Sequence, residues 1–164
     1  MKPITPCLWF GGDAEEAANF YVSLQPDSRI DGVFRAPADT PSGPAGTVLT
    51  VEFTLNETPF VALNGDQGVD YNHAVSFQIH TRDQAETDRI WAAMLANGGK
   101  EIECGWITDR WGLCWQIVPE RLEDLIKDSD PGRARRAMEA MMTMVKIDIA
   151  ALESAVSQET AQSQ

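Results

Sequence analysis

The chain has 164 residues, a length that fits one domain with its own core and excludes a large multidomain scaffold or a disulfide mini-protein. Its 43% hydrophobic and 23% charged residues lie in the globular range, which excludes wholesale disorder. It has 13 Lys and Arg against 25 Asp and Glu, and the net charge of −12 repels phosphate backbones and anionic lipids. We therefore expect neither nucleic acid nor a membrane as a partner.

The cysteines and the N-terminus favour a cytoplasmic protein. Cys7, Cys104 and Cys114 are odd in number and lack CxxC spacing, so they predict reduced thiols rather than a disulfide framework or a zinc knuckle. Residues 1–6 contain no apolar signal region, and no stretch approaches the roughly 18 apolar residues of a membrane span.

The first half of the chain predicts a strand, a helix and three further strands. An apolar strand over 5–10 is followed by Asp13 and Glu16, whose spacing resembles a capping box at a helix start. The helix ends before Pro26, and extended runs follow at 30–36, 48–55 and 59–64. The apolar face of this helix consists of Ala14, Ala17, Ala18, Tyr21 and Leu24.

About seventy residues later the same order returns, which indicates an internal duplication. A strand over 74–80 alternates apolar and polar residues, and Asp83 with Glu86 repeats the capping pattern. Extended runs over 102–107 and 113–118 follow the helix. The helix carries an apolar stripe of Ile90, Trp91, Met94 and Leu95 and stops at Asn97-Gly98-Gly99.

Two further segments leave alternatives open. The Pro- and Gly-rich residues 37–46 predict a surface connection, with a lid over a pocket as the less favoured alternative. After residue 119 helices are predicted, one beginning at Asp130-Pro131 and one near Asp148, and the tail 157–164 is expected to be disordered. A stripe on the first of these helices is interpreted as core rather than as a subunit contact; it contains Ala134, Ala137, Met138, Met141, Met142 and Val145.

Residues 15–21 (EEAANFY) and above all 104–119 (CGWITDRWGLCWQIVP) resemble the PhnB-like branch of the vicinal oxygen chelate superfamily. That superfamily includes glyoxalase I, bleomycin- and fosfomycin-resistance proteins and extradiol dioxygenases, and the resemblance extends over about residues 3–152. It implies an α+β fold in which two βαβββ modules form a cupped mixed sheet with helices outside, a pocket inside, and usually a homodimer. We accordingly predict one domain over 1–156, with modules at about 3–66 and 72–119 and a helical extension over 120–156.

The resemblance also implies four positions at which metal-using relatives place His or Glu ligands. On this chain they fall near Pro6, Ala62, Ala74 and Gln116, of which only Gln116 could offer even a weak ligand. Because a divalent site needs about three His or carboxylate ligands, we predict no metal and no other cofactor. His73 lies one residue before a ligand position and is the one alternative ligand.

The predicted pocket residues come from strand alternation and from the resemblance. On the strand over 48–55, Glu52 lies on the face opposite Val51 and Phe53, so a buried Glu52 would have a raised pKa and serve as a general base. The alternative is a structural carboxylate paired with an arginine. The predicted ligand-binding residues are Leu8, Glu52, Ser76, Gln78, Trp106, Cys114 and Gln116.

We therefore expect a protein that binds a small, apolar or aromatic molecule in the pocket and lacks a complete metal site. The alternatives are a metal-dependent lyase or dioxygenase of the same superfamily, and a dimeric module without a ligand. Relatives carry the label 3-demethylubiquinone 3-methyltransferase, but the sequence lacks the GxGxxG turn and the alternating parallel sheet of a nucleotide-type methyl donor site. Whether any reaction is catalysed is left open.

Overall fold

A computed structural model describes residues 4–158 of the chain. The chain divides into two compact units, the first ending at Asp70 and the second beginning at Tyr71. Each unit contains a strand, a helix and three more strands, and helices follow the second. The predicted α+β class, with two βαβββ modules and a helical extension, is confirmed. No helix within 4–158 is long and apolar enough to cross a membrane.

The first unit is a four-stranded mixed sheet with one helix. Its sheet order is β1-β4-β3-β2, with β1 parallel to β4 and the other pairs antiparallel. The elements are β1 (Cys7–Phe10), α1 (Ala14–Leu24), β2 (Arg29–Arg35), β3 (Val48–Leu55) and β4 (Thr58–Asn64).

The core of the first unit lies between α1 and one face of this sheet. The ring of Phe53 lies 6.1 Å from that of Tyr21 on α1 and 5.4 Å from that of Phe60 on β4. Strand alternation then places Val51 and Ala62 on this face as well, and both are fully buried. The predicted helical stripe is confirmed, because all five of its residues are buried.

The predicted capping box at the start of α1 is wrong. The side chain of Asp13 makes no capping hydrogen bond. Instead the Asn64 Oδ1 atom accepts the Ala14 N–H at 2.9 Å, and the Asn64 amide donates to the Val48 carbonyl at 3.0 Å. A side chain at the end of β4 thus satisfies a helix terminus that the local sequence leaves open.

The connection over 37–46 is a loop between β2 and β3 that is held by its own hydrogen bonds. At its base the Ala36 N–H donates to the Thr47 carbonyl at 2.9 Å. Thr40 and Gly43 form a bridge, and Asp39 accepts the Ala45 N–H at 2.9 Å. Whether this connection closes over a ligand stays a prediction.

The second unit repeats the topology with shorter strands. Its sheet order is β5-β8-β7-β6, again with one parallel pair, β5 with β8. The elements are β5 (Ser76–Thr81), α2 (Gln84–Ala96), β6 (Lys100–Glu101), β7 (Trp106–Thr108) and β8 (Cys114–Pro119).

The predicted cap of α2 is confirmed for Asp83, whereas the Glu86 side chain bonds one residue before the position that a capping box requires. Asp83 accepts the Glu86 N–H at 2.8 Å, and the Glu86 carboxylate accepts the Arg82 N–H at 2.9 Å. The buried hydroxyl oxygens of Thr87 on α2 and Thr81 on β5 are hydrogen-bonded at 2.6 Å. The predicted stripe is buried except for Leu95, which is 38% exposed.

The prediction of one extended run over 102–107 is wrong. The strand breaks after Glu101 and resumes at Trp106, because Cys104 (φ 60°) and Gly105 (φ 81°) adopt left-handed conformations. At Gly105 a Cβ atom would lie 3.0 Å from the Ile117 carbonyl oxygen and 3.0 Å from Ile147 Cγ1. The turn therefore favours glycine for both its backbone angle and its space.

The helical extension packs around a small core of its own. Its helices are α3 (Glu120–Ile126), α4 (Pro131–Met141) and α5 (Ile149–Ser157). Asp130 and Asp148 cap α4 and α5 as predicted. The buried core residues are Leu122, Leu125, Ala137, Ile147, Leu152 and Val156.

Two expectations for the extension differ from the structure. Three of the six residues in the stripe interpreted as core are exposed: Met138, Met142 and Val145, by 39%, 56% and 42%. Helix α4 ends at Met141, so Met142 and Val145 do not continue its buried face. Ala137 is buried and Met141 packs against the core of the extension, as interpreted. The tail expected to be disordered begins inside α5 at Ser157, and its last residues, 159–164, lie outside the described residues.

Candidate functional site

The second sheet has one face against α2 and one face opposite it. Thr81 contacts Thr87 on α2, so strand alternation places Ile79, and through the β5–β8 register Ile117, on the α2 side. The remaining residues of β5, β7 and β8 form what we call the second face. They are Ser76, Gln78, His80, Trp106, Thr108, Cys114, Gln116 and Val118.

A chain of side-chain hydrogen bonds crosses the second face. The Gln78 Nε2 atom donates to Gln116 Oε1 at 3.1 Å, and the Gln116 Nε2 atom donates to Ser76 Oγ at 2.8 Å. Gln78 is exposed, whereas Gln116 and Ser76 are half-buried. Because both ends of the Gln116 amide are engaged, its orientation on the sheet is fixed.

Trp106 adjoins this chain on β7. It is the register partner of Gln116, and its side chain is half-buried. The ring of His73 lies 6.4 Å from that of Trp106, tilted by 40°, and His73 is exposed. The second face therefore combines an accessible indole ring with an ordered row of amide and hydroxyl groups.

Cys114 lies on the second face but is covered. Its relative exposure is 0%, so in this structure it is not open to a ligand, contrary to the expectation for a pocket residue. Burial, and secondarily the negative charge of Asp109, raises the pKa of the Cys114 thiol, against a smaller lowering by the Trp115 N–H. A protonated, buried thiol does not act as a nucleophile near neutral pH.

Glu52 lies on the face of the first sheet opposite α1, as predicted. Its register partners are Gly32 on β2 and Val61 on β4. The carboxylate is exposed, however, so the burial on which the general-base prediction depended is absent from the structure. Trp9 lies on the same face, and its indole N–H donates to the Gln67 carbonyl at 2.8 Å.

Leu8 does not share that face. It pairs with Ala62 on β4, and both side chains are directed to the α1 side, where Leu8 is 5% exposed. Its expected role in lining the pocket is therefore inconsistent with its position, because the side chain belongs to the core of the first unit.

Asp109 organises the turn between β7 and β8. Its Oδ1 atom accepts the Trp111 and Leu113 N–H groups at 2.9 and 3.0 Å, and its Oδ2 atom accepts the Trp115 indole N–H at 2.9 Å. The carboxylate is 3% exposed. Hydrogen bonds to one buried carboxylate therefore hold this turn in place.

The residues at the positions implied for a metal do not fit one. Ala62 is on the α1 side, and its neighbours on the other face, Val61 and Leu63, have no donor atom. The Gln116 amide is already bonded to Gln78 and Ser76. Within 4–158, no group of three or more His, Cys, Asp or Glu residues could hold a metal ion. This donor set lacks the His and carboxylate ligands that a divalent cation needs.

A separate, charged groove lies where β5 meets α3, and the sequence reasoning did not anticipate it. It has a volume of 620 Å³ and is lined by His80, Glu120, Glu123, Asp124 and Lys127. Lys127 Nζ lies 3.1 Å from Glu123 Oε1, and this bond, more than the nearby His80, lowers the pKa of Glu123. Helix periodicity places these α3 residues on its outer side, but no motif marks them.

The fold, with its two βαβββ modules, is that of the vicinal oxygen chelate superfamily. A family model described as 3-demethylubiquinone-9 3-methyltransferase matches residues 2–118. The chain therefore belongs to that family, and its PhnB-like assignment is confirmed.

Two solved structures are similar over nearly their full lengths. A putative 3-demethylubiquinone-9 3-methyltransferase, PhnB protein, from Bacillus cereus shares 30% identity at a TM-score of 0.63, covering 72% of this chain and 99% of that one. The protein PA1353 from Pseudomonas aeruginosa shares 19% identity at a TM-score of 0.59, covering 73% and 98%, and supports the fold alone. No functionally curated protein matches the chain.

Proposed function

We propose that this protein binds a small, apolar or aromatic molecule on the second face. The observation that carries the proposal is the hydrogen-bonded row of Gln78, Gln116 and Ser76 beside the half-buried ring of Trp106. Ligand sites combine apolar surface with a few placed polar groups, and this face offers both.

The chemistry of these groups limits the ligand. The indole of Trp106 favours a flat apolar or aromatic group, because ring stacking is most effective at offset or edge-on contact. Each amide has two N–H donors and an acceptor oxygen with two lone pairs, so Gln78 and Gln116 keep capacity for a polar substituent beyond their mutual bond. A neutral aromatic molecule with one or two polar substituents fits this set.

Neither methyl transfer nor metal chemistry is part of the proposal. The family description names a methyltransferase, but this chain carries no Gly-rich turn for a nucleotide-type methyl donor. The metal-dependent lyase or dioxygenase alternative requires His or carboxylate ligands at positions now occupied by Ala62, Ala74 and Gln116. The role of Glu52 as a general base is a separate proposal: Glu52 lies on the first sheet, not on the second face, and would act only on a molecule that covers it and excludes water.

We also propose a cytoplasmic homodimer. The compartment rests on three cysteines without disulfide spacing, and the dimer on the resemblance to dimeric relatives. The exposed side chains of Met138 on α4 and of Met142 directly after it are compatible with a subunit contact. A dimer without a ligand is the outcome in which the second face binds nothing.

A fluorescence titration with 8-anilinonaphthalene-1-sulfonate, an aromatic anion, tests ligand binding by the full chain. We expect saturable binding, weakened about tenfold by Trp106→Ala and by Gln116→Ala, since each loses roughly one stacking or hydrogen-bonding contribution. Gln158→Ala is the matched control, because Gln158 lies at the exposed end of the extension. This variant should bind the dye as the parent does.

Native mass spectrometry of the same samples reports the stoichiometry and the oligomeric state. One dye per chain that is lost in Trp106→Ala supports the proposal. Unchanged dye affinity in both face variants, with near-UV circular dichroism like the parent's, would contradict it.

A further inference from the structure

The segment between α4 and α5 crosses the turn that precedes Trp106. We call residues 144–149 the strap. The Cys104 N–H donates to the Met144 carbonyl at 2.8 Å, and the Gly105 N–H donates to the Val145 carbonyl at 2.7 Å. The extension therefore holds the second sheet by main-chain hydrogen bonds at the residues immediately before Trp106.

The turn under the strap has an unusual conformation. Cys104 has a φ of 60°, a left-handed angle that a residue with a Cβ atom adopts rarely and keeps only where its surroundings hold it. The strap supplies such surroundings, since Ile147 packs against Gly105 so closely that a Cβ there would lie 3.0 Å from Ile147 Cγ1.

The 103–105 turn fixes the backbone of Trp106. The Trp106 N–H donates to the Glu103 carbonyl at 3.2 Å, and the Trp106 carbonyl accepts the Ile102 N–H at 2.9 Å. One residue earlier, the Gly105 carbonyl accepts the Ile117 N–H at 2.8 Å. A displacement of the turn therefore moves the start of β7 and the indole ring that it carries.

Gln84 at the start of α2 anchors the strap from the other side. Its Nε2 atom donates to the Ile147 carbonyl at 3.0 Å, and its Oε1 atom accepts the Ile149 N–H at 2.8 Å. Lys146 forms an ion pair with Asp88 one helical turn further along α2. Gln84 thus bonds the strap at the residues on both sides of Asp148.

The strap lies outside the part of the chain that the family model matches. The model match ends at residue 118, whereas the strap begins at Met144. A segment beyond the matched residues thus contacts the turn that precedes a proposed ligand-binding residue.

We propose that the strap is a positioning element for the second face: held by Gln84, it fixes the 103–105 turn and thereby orients Trp106 for its ligand. The inference rests on the proposed function for the ligand, but the orientation of Trp106 can be measured without one. Gln84 and the strap are positioning residues, because they act through Trp106 rather than on the ligand.

The test uses the full chain labelled with 5-fluorotryptophan, in which Trp106→Phe identifies the fluorine resonance of Trp106. Gln84→Ala removes both anchoring bonds and should shift or broaden that resonance. Amide hydrogen exchange at Cys104 and Gly105 should rise about tenfold or more, the factor that one or two lost hydrogen bonds represent. The dissociation constant for 8-anilinonaphthalene-1-sulfonate should rise about fivefold or more.

Arg121→Ala is the matched control. It breaks the 2.9 Å contact between Arg121 Nε and Glu153 Oε1, which joins α3 to α5 within the extension and does not involve the strap. We expect it to leave the Trp106 resonance, the two amides and the dissociation constant at the parent values. Gln84→Glu, which keeps an acceptor for the Ile149 N–H, should give an intermediate shift and remains informative if Gln84→Ala does not fold.

The outcomes separate this inference from the proposed function. Faster exchange at Cys104 and Gly105 with an unchanged Trp106 resonance makes the strap merely structural and overturns the inference. Unchanged exchange in both Gln84 variants overturns the anchoring role. A displaced Trp106 resonance in a protein that binds no dye supports positioning and contradicts the proposed function instead.

Discussion

The two sheets have the same strand order but display different chemistry. In the first unit the equivalent strands β2 and β3 have 7 and 8 residues, and the face of the sheet opposite α1 carries Glu52 and Trp9. In the second unit β6 and β7 have only 2 and 3 residues, and the face opposite α2 carries the glutamine row. Topology is thus shared by the duplicated units, whereas the groups that could meet a ligand are not.

Short strands in the second unit are held by contacts outside the strand ladder. The Asp109 carboxylate holds the β7–β8 turn, and the strap holds the turn between β6 and β7. Few ladder hydrogen bonds remain to fix these segments, so side chains and the extension fix them instead. The structure of the second unit therefore depends on particular side chains and on the extension, whereas the structure of the first unit depends mainly on its longer strand ladders.

The largest expected effect follows from removing the Asp109 carboxylate. Asp109→Ala leaves the Trp111 and Leu113 N–H groups and the Trp115 indole N–H without this acceptor in a buried site. We expect the free energy of unfolding to fall by about 3–5 kcal/mol, measured by urea denaturation. Asp66→Ala, at an exposed position of the first unit, should change it by less than about 0.5 kcal/mol.

The two helix caps give the next largest contrast. Asn64→Ala removes an acceptor and a donor at a side chain that is 7% exposed, and should cost about 2 kcal/mol. Asp83→Ala removes one bond at an exposed cap and should cost about 1 kcal/mol. Asp13→Ala should cost almost nothing by the same denaturation assay, and a loss larger than that of Asn64→Ala would contradict the assignment of the cap.

Cysteine labelling compares the two faces directly. Burial raises the pKa of both the Cys7 and the Cys114 thiols, so accessibility rather than ionisation should set their relative rates. Cys7 is exposed and Cys114 is fully buried. With 5,5′-dithiobis(2-nitrobenzoate) we expect Cys7 to react about 100-fold faster or more, because Cys114 must wait for an opening of the fold. Loss of the fast phase in Cys7→Ser is the control; a fast phase from Cys114 would contradict its burial.

The smallest expected effect concerns acid stability at the strap. A hydrogen bond from Lys146 lowers the pKa of Asp88, so the pair contributes stability above the unfolded value of about 3.9 and loses it as the pH falls below that value. In Lys146→Met the fall in the denaturation midpoint below about pH 4 should become shallower. The difference at neutral pH should be at most about 0.5 kcal/mol, because the pair is solvent-screened. An unchanged acid profile would show that the ion pair does not contribute to stability.

The fold was predictable because its signals are local and repeated. Each unit has an alternating strand followed by a helix with an apolar stripe. Every residue of the predicted stripes on α1 and α2 is buried except Leu95. The face of Glu52 was likewise predictable from the alternation in β3. Leu8 was placed wrongly because β1 has only four residues and apolar side chains in both phases of the alternation.

Long-range contacts account for the rest. The cap of α1 comes from Asn64, fifty residues away from Ala14, so a local capping pattern at Asp13 was the wrong signal. The hydrogen bonds between the strap and the 103–105 turn join main-chain atoms, so the pattern of side chains in the sequence could not predict them. The stripe over 134–145 is apolar whether it is buried or exposed. Only the end of α4 at Met141 and the packing of the extension decide that Met138 and Met142 lie at the surface.

The most direct test of the central claim is the fluorine spectrum of the 5-fluorotryptophan-labelled chain during titration with 8-anilinonaphthalene-1-sulfonate. The second face predicts that the Trp106 resonance moves with the dye concentration and saturates. The resonance of Trp91, buried on α2, should stay in place. A saturating dye signal with an unmoved Trp106 resonance would contradict binding at the second face.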